Sequence, residues 1–90
     1  MGKFLAVHPL PSPMTVEQAE PIAKATKAKA SADAYWVGAW LQNNEQGKTT
    51  KIFCEWDAKD AESIRRALST IQIPVEGIYP MAKVDAEAYR

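Results

Sequence analysis

A chain of 90 residues, 47% of them hydrophobic, with 11 basic and 11 acidic side chains, has room for one domain, residues 1–90, and is too apolar to stay disordered. Its balanced charge argues against a general binder of phosphate backbones, so no nucleic-acid partner is expected. A domain of this size buries only roughly 60–65% of the surface that its unfolded chain exposes, and oligomerisation is a common way to add to so thin a core. The single cysteine, Cys54, excludes an intramolecular disulfide and a CxxC metal knuckle and fits a cytoplasmic protein. The opening stretch MGKFLAVHPLPSP holds an apolar run too short for a signal segment or a membrane span, and Ala6 breaks the myristoylation pattern that Gly2 begins. No membrane partner is expected.

Lys3 to His8 alternates weakly and predicts a first strand, with Phe4, Ala6 and His8 on one side and Leu5 and Val7 on the other. Pro9, Pro11 and Pro13 lack N–H groups and predict a stiff connector without regular structure. Thr15 to Ser31 reads as a helix: Thr15 and Gln18 have capping-box spacing, and Val16, Ala19, Ile22, Ala23, Thr26 and Ala30 share a face. Pro21 either kinks that helix after its first turn or marks its true start. Ala34 to Gln42 predicts an aromatic-rich second strand, Asn43, Asn44 and Gly47 a turn, and Thr49 to Trp56 the returning strand of a hairpin. Asp60 is placed to cap a second helix that carries Ala61, Ile64, Leu68 and Ile71 on one face. Val75 to Val84 gives the last strand, which Gly77 and Pro80 mark as irregular or at an edge.

The order β-α-β-β-α-β predicts an α+β, ferredoxin-like fold: a four-stranded antiparallel sheet with both helices on one face. Strict alternation assigns Leu5, Val7, Val37, Ala39, Leu41, Ile52, Cys54, Trp56, Ile78 and Val84 to the helix side. The opposite face then carries Phe4, His8, Trp36, Trp40, Phe53, Glu55, Tyr79 and Met81. That patch exceeds what monomers usually leave exposed. It predicts a homodimer through the helix-free face, or a pocket between two such sheets in which His8, Trp36, Trp40, Phe53, Glu55, Tyr79 and Met81 bind a small molecule.

The stretch YWVGAWLQNNEQGKTTKIFCEWDAKDAESIRRAL, followed by IPVEGIYPMAKV and preceded by KFLAVH, resembles a family of small uncharacterised bacterial and archaeal domains that includes an actinobacterial nickel-binding protein. Its members resemble the wider dimeric α/β-barrel superfamily, in which two ferredoxin-like sheets pack face to face. The resemblance implies a dimeric α/β barrel. It also implies further histidines in nickel-binding relatives, after the first strand and on the second helix. Here Pro9 follows that strand, and the helix reads Arg65, Arg66, Ala67.

His8 is the sole histidine. One imidazole and one thiol assigned to opposite faces make too few ligands for a tight nickel or zinc site within one chain, and no cofactor is expected. A weak site of paired His8 side chains across a dimer stays open. Cys54 is expected to act as a small apolar residue. The third strand, Lys51 to Trp56, lacks the Gly-Phe pattern of RNA-recognition modules. Two functions survive: a non-catalytic small-molecule or metal-binding dimer, or a small cofactor-free barrel enzyme of oxygenase or isomerase type using His8 and Glu55.

Overall fold

The computed structural model describes residues 1–89. The element order is β1 (Gly2–Met14), α1 (Val16–Ala28), β2 (Ala34–Asn43), β3 (Thr49–Ala58), α2 (Ala61–Leu68) and β4 (Gly77–Pro80), followed by a 3-10 turn at Ala86–Tyr89. The strands form one antiparallel sheet in the order β2-β3-β1-β4. This is the α+β, ferredoxin-like arrangement that the sequence predicts.

Local chemistry explains most boundaries. Thr15 and Gln18 close a full capping box, with the Thr15 hydroxyl accepting from the Gln18 N–H at 3.1 Å and the Gln18 side chain accepting from the Thr15 N–H at 2.8 Å. The helix therefore starts at Val16 and runs through Pro21. In the β2–β3 hairpin the Asn44 carboxamide oxygen accepts from the Gln46 and Lys48 N–H groups, and Gly47 supplies the positive φ that the turn needs. The Asp60 carboxylate accepts from the Ser63 N–H at 2.8 Å, capping α2 as its position predicts.

Three expectations need correction. The Pro9–Pro13 stretch is not irregular: β1 continues to Met14, with a register shift against β3 between Pro9 and Met14. Because β4 pairs only with Phe4 to Val7, β1 is an edge beyond that point, and prolines are tolerated where no neighbour needs their N–H. Likewise, β4 is confined to Gly77–Pro80. Val75 and Val84 lie outside it, and Val84 is exposed.

The third correction concerns the two faces of the sheet. In β2 the register against β3 slips between Trp36 and Gly38: Trp36 pairs with Trp56, Gly38 with Glu55, Ala39 with Cys54 and Trp40 with Phe53. One extra residue at Val37 makes a β-bulge, and a bulge reverses the side on which later residues point. Trp36 therefore joins Ala39 and Leu41 on the helix side, while Trp40 faces the other way. In β1, Ala6 opposes Cys54 and His8 opposes Ile52. Directly opposed residues share a face, so Phe4, Ala6 and His8 lie under the helices, and Leu5 and Val7 on the helix-free side. The core consists of Ala6, Ala34, Ile52, Cys54, Trp56, Ala58, Ile64, Ala67, Leu68 and Ile78, with Phe4, Trp36 and Leu41 packed against it.

Candidate functional site

Beneath α1 lies a cavity of about 240 Å³. Its floor is the helix side of the sheet, with His8 from β1, Trp36, Ala39 and Leu41 from β2, and Ile52 and Cys54 from β3. Its roof is α1, through Val16, Ala19, Glu20, Ile22, Ala23 and Thr26, and Leu68 and Ile73 close one side. α2 packs directly on β2, β3 and β4, whereas α1 makes few close approaches to the sheet. The inner face of α1 carries the small residues Ala19, Ala23 and Thr26, and the space that they leave is not filled by the strands.

His8 borders this cavity from beneath and is 0% exposed, so its ring is closed off from the open space. Its Nδ1 lies 2.9 Å from the Pro74 carbonyl oxygen. A carbonyl can only accept, so Nδ1 carries the proton and Nε2 presents a lone pair. Nε2 has no hydrogen-bond partner among the described residues. Burial penalises the imidazolium and holds the His8 pKa below its usual value, an effect that the Pro74 carbonyl opposes. The unfolded chain thus takes up a proton that the folded chain resists. Stability from this group is complete above the ordinary histidine pKa and is lost as pH falls through that value toward the depressed one. With one histidine in the chain, the denaturant midpoint is expected to drop between about pH 7 and pH 5. The His8→Phe variant is expected to lack this dependence, and equal slopes for the two proteins in urea melts would contradict the assignment.

Cys54 opens onto the same cavity, and burial pushes its thiol up to about 11. The nearby Trp36 indole offsets part of that rise. Cys54 is therefore a protonated, unreactive thiol at neutral pH.

The residues assigned from sequence to one pocket are split. His8 and Trp36 line the cavity under α1. Trp40, Phe53, Glu55 and Tyr79 lie on the helix-free face, by the register of their strands. Met81 follows β4 and is exposed. On that outer face Lys3 makes ion pairs with Glu55 and Asp57, the latter at 2.7 Å. His8 and Glu55 are thus on opposite sides of the sheet and cannot act on one substrate within a chain. The α1 wall was missed as a site. Its signal was present in the small residues Ala19, Ala23 and Thr26 along one helical face, which the sequence presents only as a core stripe.

Among the described residues no three histidine, cysteine, aspartate or glutamate side chains gather in a way that could hold a metal ion. The separate donors do not converge on one either: the Cys54 thiol resists ionisation, and Glu55 is paired with Lys3 on the other side of the sheet from His8.

Comparisons with known proteins agree with the fold. The crystal structure of SCO4226 from Streptomyces coelicolor A3(2) superposes with a TM-score of 0.75 at 18% sequence identity, covering 92% of this chain and 99% of that one. No curated protein matches the chain in sequence. Residues 4–81 match the model of a family described as nickel responsive protein SCO4226-like. With nearly the whole fold inside that match, the chain belongs to the SCO4226-like family.

Proposed function

We propose that the protein is a non-catalytic binding protein, a cytoplasmic homodimer of the dimeric α/β-barrel type, that takes up a small organic molecule in the cavity beneath α1. The observation that carries this reading is the cavity itself. Well-packed elements rarely leave spaces much larger than a water molecule between them, yet the cleft between α1 and the sheet, partly open to solvent, is about 240 Å³ and ringed mainly by apolar side chains. Cavities of this kind, with a few convergent polar groups, are the usual form of small-molecule sites. Catalysis is disfavoured because no nucleophile, base and acid converge: the thiol is held protonated, and His8 and Glu55 are separated by the sheet.

Pairing is supported by the helix-free face, where Trp40 and Tyr79 are exposed beside Leu5 and Phe53. The family description speaks of nickel response. The donor groups of this chain favour an organic ligand over a metal ion as its cargo.

Native mass spectrometry of freshly purified, tag-free protein tests both parts. The expected spectrum is that of a dimer that retains organic adducts and gains no stoichiometric nickel when the ion is added. A dimer that takes up one nickel ion per chain at submicromolar concentration would overturn the choice of ligand.

A further inference from the structure

The side chains that border the cleft beneath α1 differ in how far solvent reaches them, and the difference gives the cleft a direction. Val16 and Glu20 on α1 and Ala39 on β2 are exposed and mark its mouth, whereas Ala19, Ile52 and Leu68 are buried and mark its depth. Between them stand Ile22, Ala23, Leu41 and Ile73, each half-buried. Past the mouth, the wall that a guest can touch is therefore hydrocarbon. The polar atoms beneath it are out of reach. His8 is fully buried, the Trp36 N–H is closed off inside the chain, and Thr26, 3% exposed, spends its hydroxyl proton on the Ile22 carbonyl at 2.7 Å.

Glu20 is the one charged side chain on the lining, and Lys24, one turn further along α1, lies 3.6 Å from it. Both are exposed, so the mouth offers neither an unpaired charge nor a buried counter-ion. A polar group carried past it would lose its water and find no partner, at a heavy cost. A peptide fares no better. Sheet backbone groups bond within the plane of the sheet and helical ones along the helix axis, so neither face matches the N–H and C=O groups of an entering chain. A hydrocarbon chain has nothing to leave unmatched and gains with each carbon taken out of water. Because the cleft is partly open to solvent, a guest need not fit inside it whole, and its polar end can stay in water.

We infer that the cleft takes a single-chain amphiphile, with the aliphatic chain lying between α1 and the sheet and the polar head left outside the mouth beside Val16 and Glu20. This rests on the reading of the cleft as a binding site, and it names the ligand's chemistry. Chain length then sets the affinity, and the head group is not recognised.

The test is a titration of the full isotope-labelled chain with 1-hexanol, 1-octanol and 1-decanol, and with octanoate and octylammonium, followed by NMR at the Ala23 and Ala39 methyl groups. The expected result is saturable binding that tightens roughly twofold to fourfold per methylene, the larger factor corresponding to full burial of a CH₂ group. Octanoate and octylammonium are expected to bind within a few-fold of each other, and the Ala23 and Ala39 methyl resonances should move with every probe. In Ala23→Trp, or Ala39→Trp at the exposed mouth if the first change prevents folding, all five probes should weaken at least tenfold. Binding that does not tighten with chain length overturns the aliphatic guest and leaves the cleft as a site. Binding of only one of the two charged probes overturns the unrecognised head. Shifts confined to Trp40 and Phe53, with the Ala23 and Ala39 methyl groups unmoved, place the chain on the outer face and overturn the assignment to the cleft. Failure of all five probes, with unchanged spectra, overturns the reading of the cleft as a binding site.

Discussion

Replacing Trp56 with alanine is expected to remove most of the stability of the domain. Trp56 is 0% exposed and is the largest fully buried side chain. It stands at the centre of one row across the sheet, opposite Phe4 on β1 and Trp36 on β2. Both aromatic neighbours pack against the core that it belongs to. Truncation of a buried aromatic to alanine costs about 3–5 kcal/mol, because the transfer term and the cavity term add. Natural domains are stable by only about 5–15 kcal/mol, and a small one sits toward the low end. Urea denaturation of Trp56→Ala should show a midpoint far below that of the parent, or no folded baseline.

The same position makes an internal control possible. The Trp56 indole N–H is buried without a partner among the described residues, and an unmatched buried donor costs about 1–3 kcal/mol. Trp56→Phe gives up volume but also removes that donor, so it should be far milder than alanine. If Trp56→Ala melts within about 1 kcal/mol of the parent, below the range expected for a core truncation, the aromatic row is not the centre of this core.

Where the sequence determines structure through local chemistry, its elements can be read directly. The Thr15 and Asp60 caps, the Asn44–Gly47 turn and the start of the amphipathic second helix each depend on residues close in sequence and stand where expected, although that helix ends at Leu68 and leaves Ile71 outside it. The faces of the strands depend on something else. β1 is apolar on both sides, so its own pattern cannot say whether Phe4 or Leu5 faces the helices. That choice is made by its pairing with β3, more than forty residues away. In β2 the bulge at Val37 moves Trp36 to the opposite face from Trp40 without any marker that alternation would register. Strict period-two counting therefore gathered side chains that the sheet separates. The cavity was illegible for a related reason. Ala19, Ala23 and Thr26 look the same in sequence whether a helix rests on its sheet or stands away from it. Only the three-dimensional placement of α1 distinguishes the two.

Trp40→Glu is expected to convert the proposed dimer into a folded monomer. Trp40 is 73% exposed in the single chain and points away from the helices. Its replacement therefore leaves Trp56, Ile64 and the rest of the core untouched. Beside it on the outer face are Phe53, its partner across β3, and Leu5 and Tyr79, which pair with each other across β1 and β4. Covering on the order of 80 Å² of each such ring contributes roughly 2 kcal/mol at about 25 cal/mol per Å². A two-fold axis counts each group twice, so a few of them offset the estimated 4–15 kcal/mol cost of association. Lys3 pairs with both Glu55 and Asp57 within the chain, so each carboxylate keeps a cation beside it, and the cluster as a whole carries one negative charge. A glutamate at position 40 would enter such a contact once from each chain, and an uncompensated buried charge is strongly destabilising. Sedimentation at tens of micromolar should show the parent as a dimer and the variant as a monomer, with circular dichroism and urea midpoints showing that the variant keeps its fold. A parent chain that sediments as a monomer under those conditions means that the helix-free face is not an interface between copies, whatever the variant does.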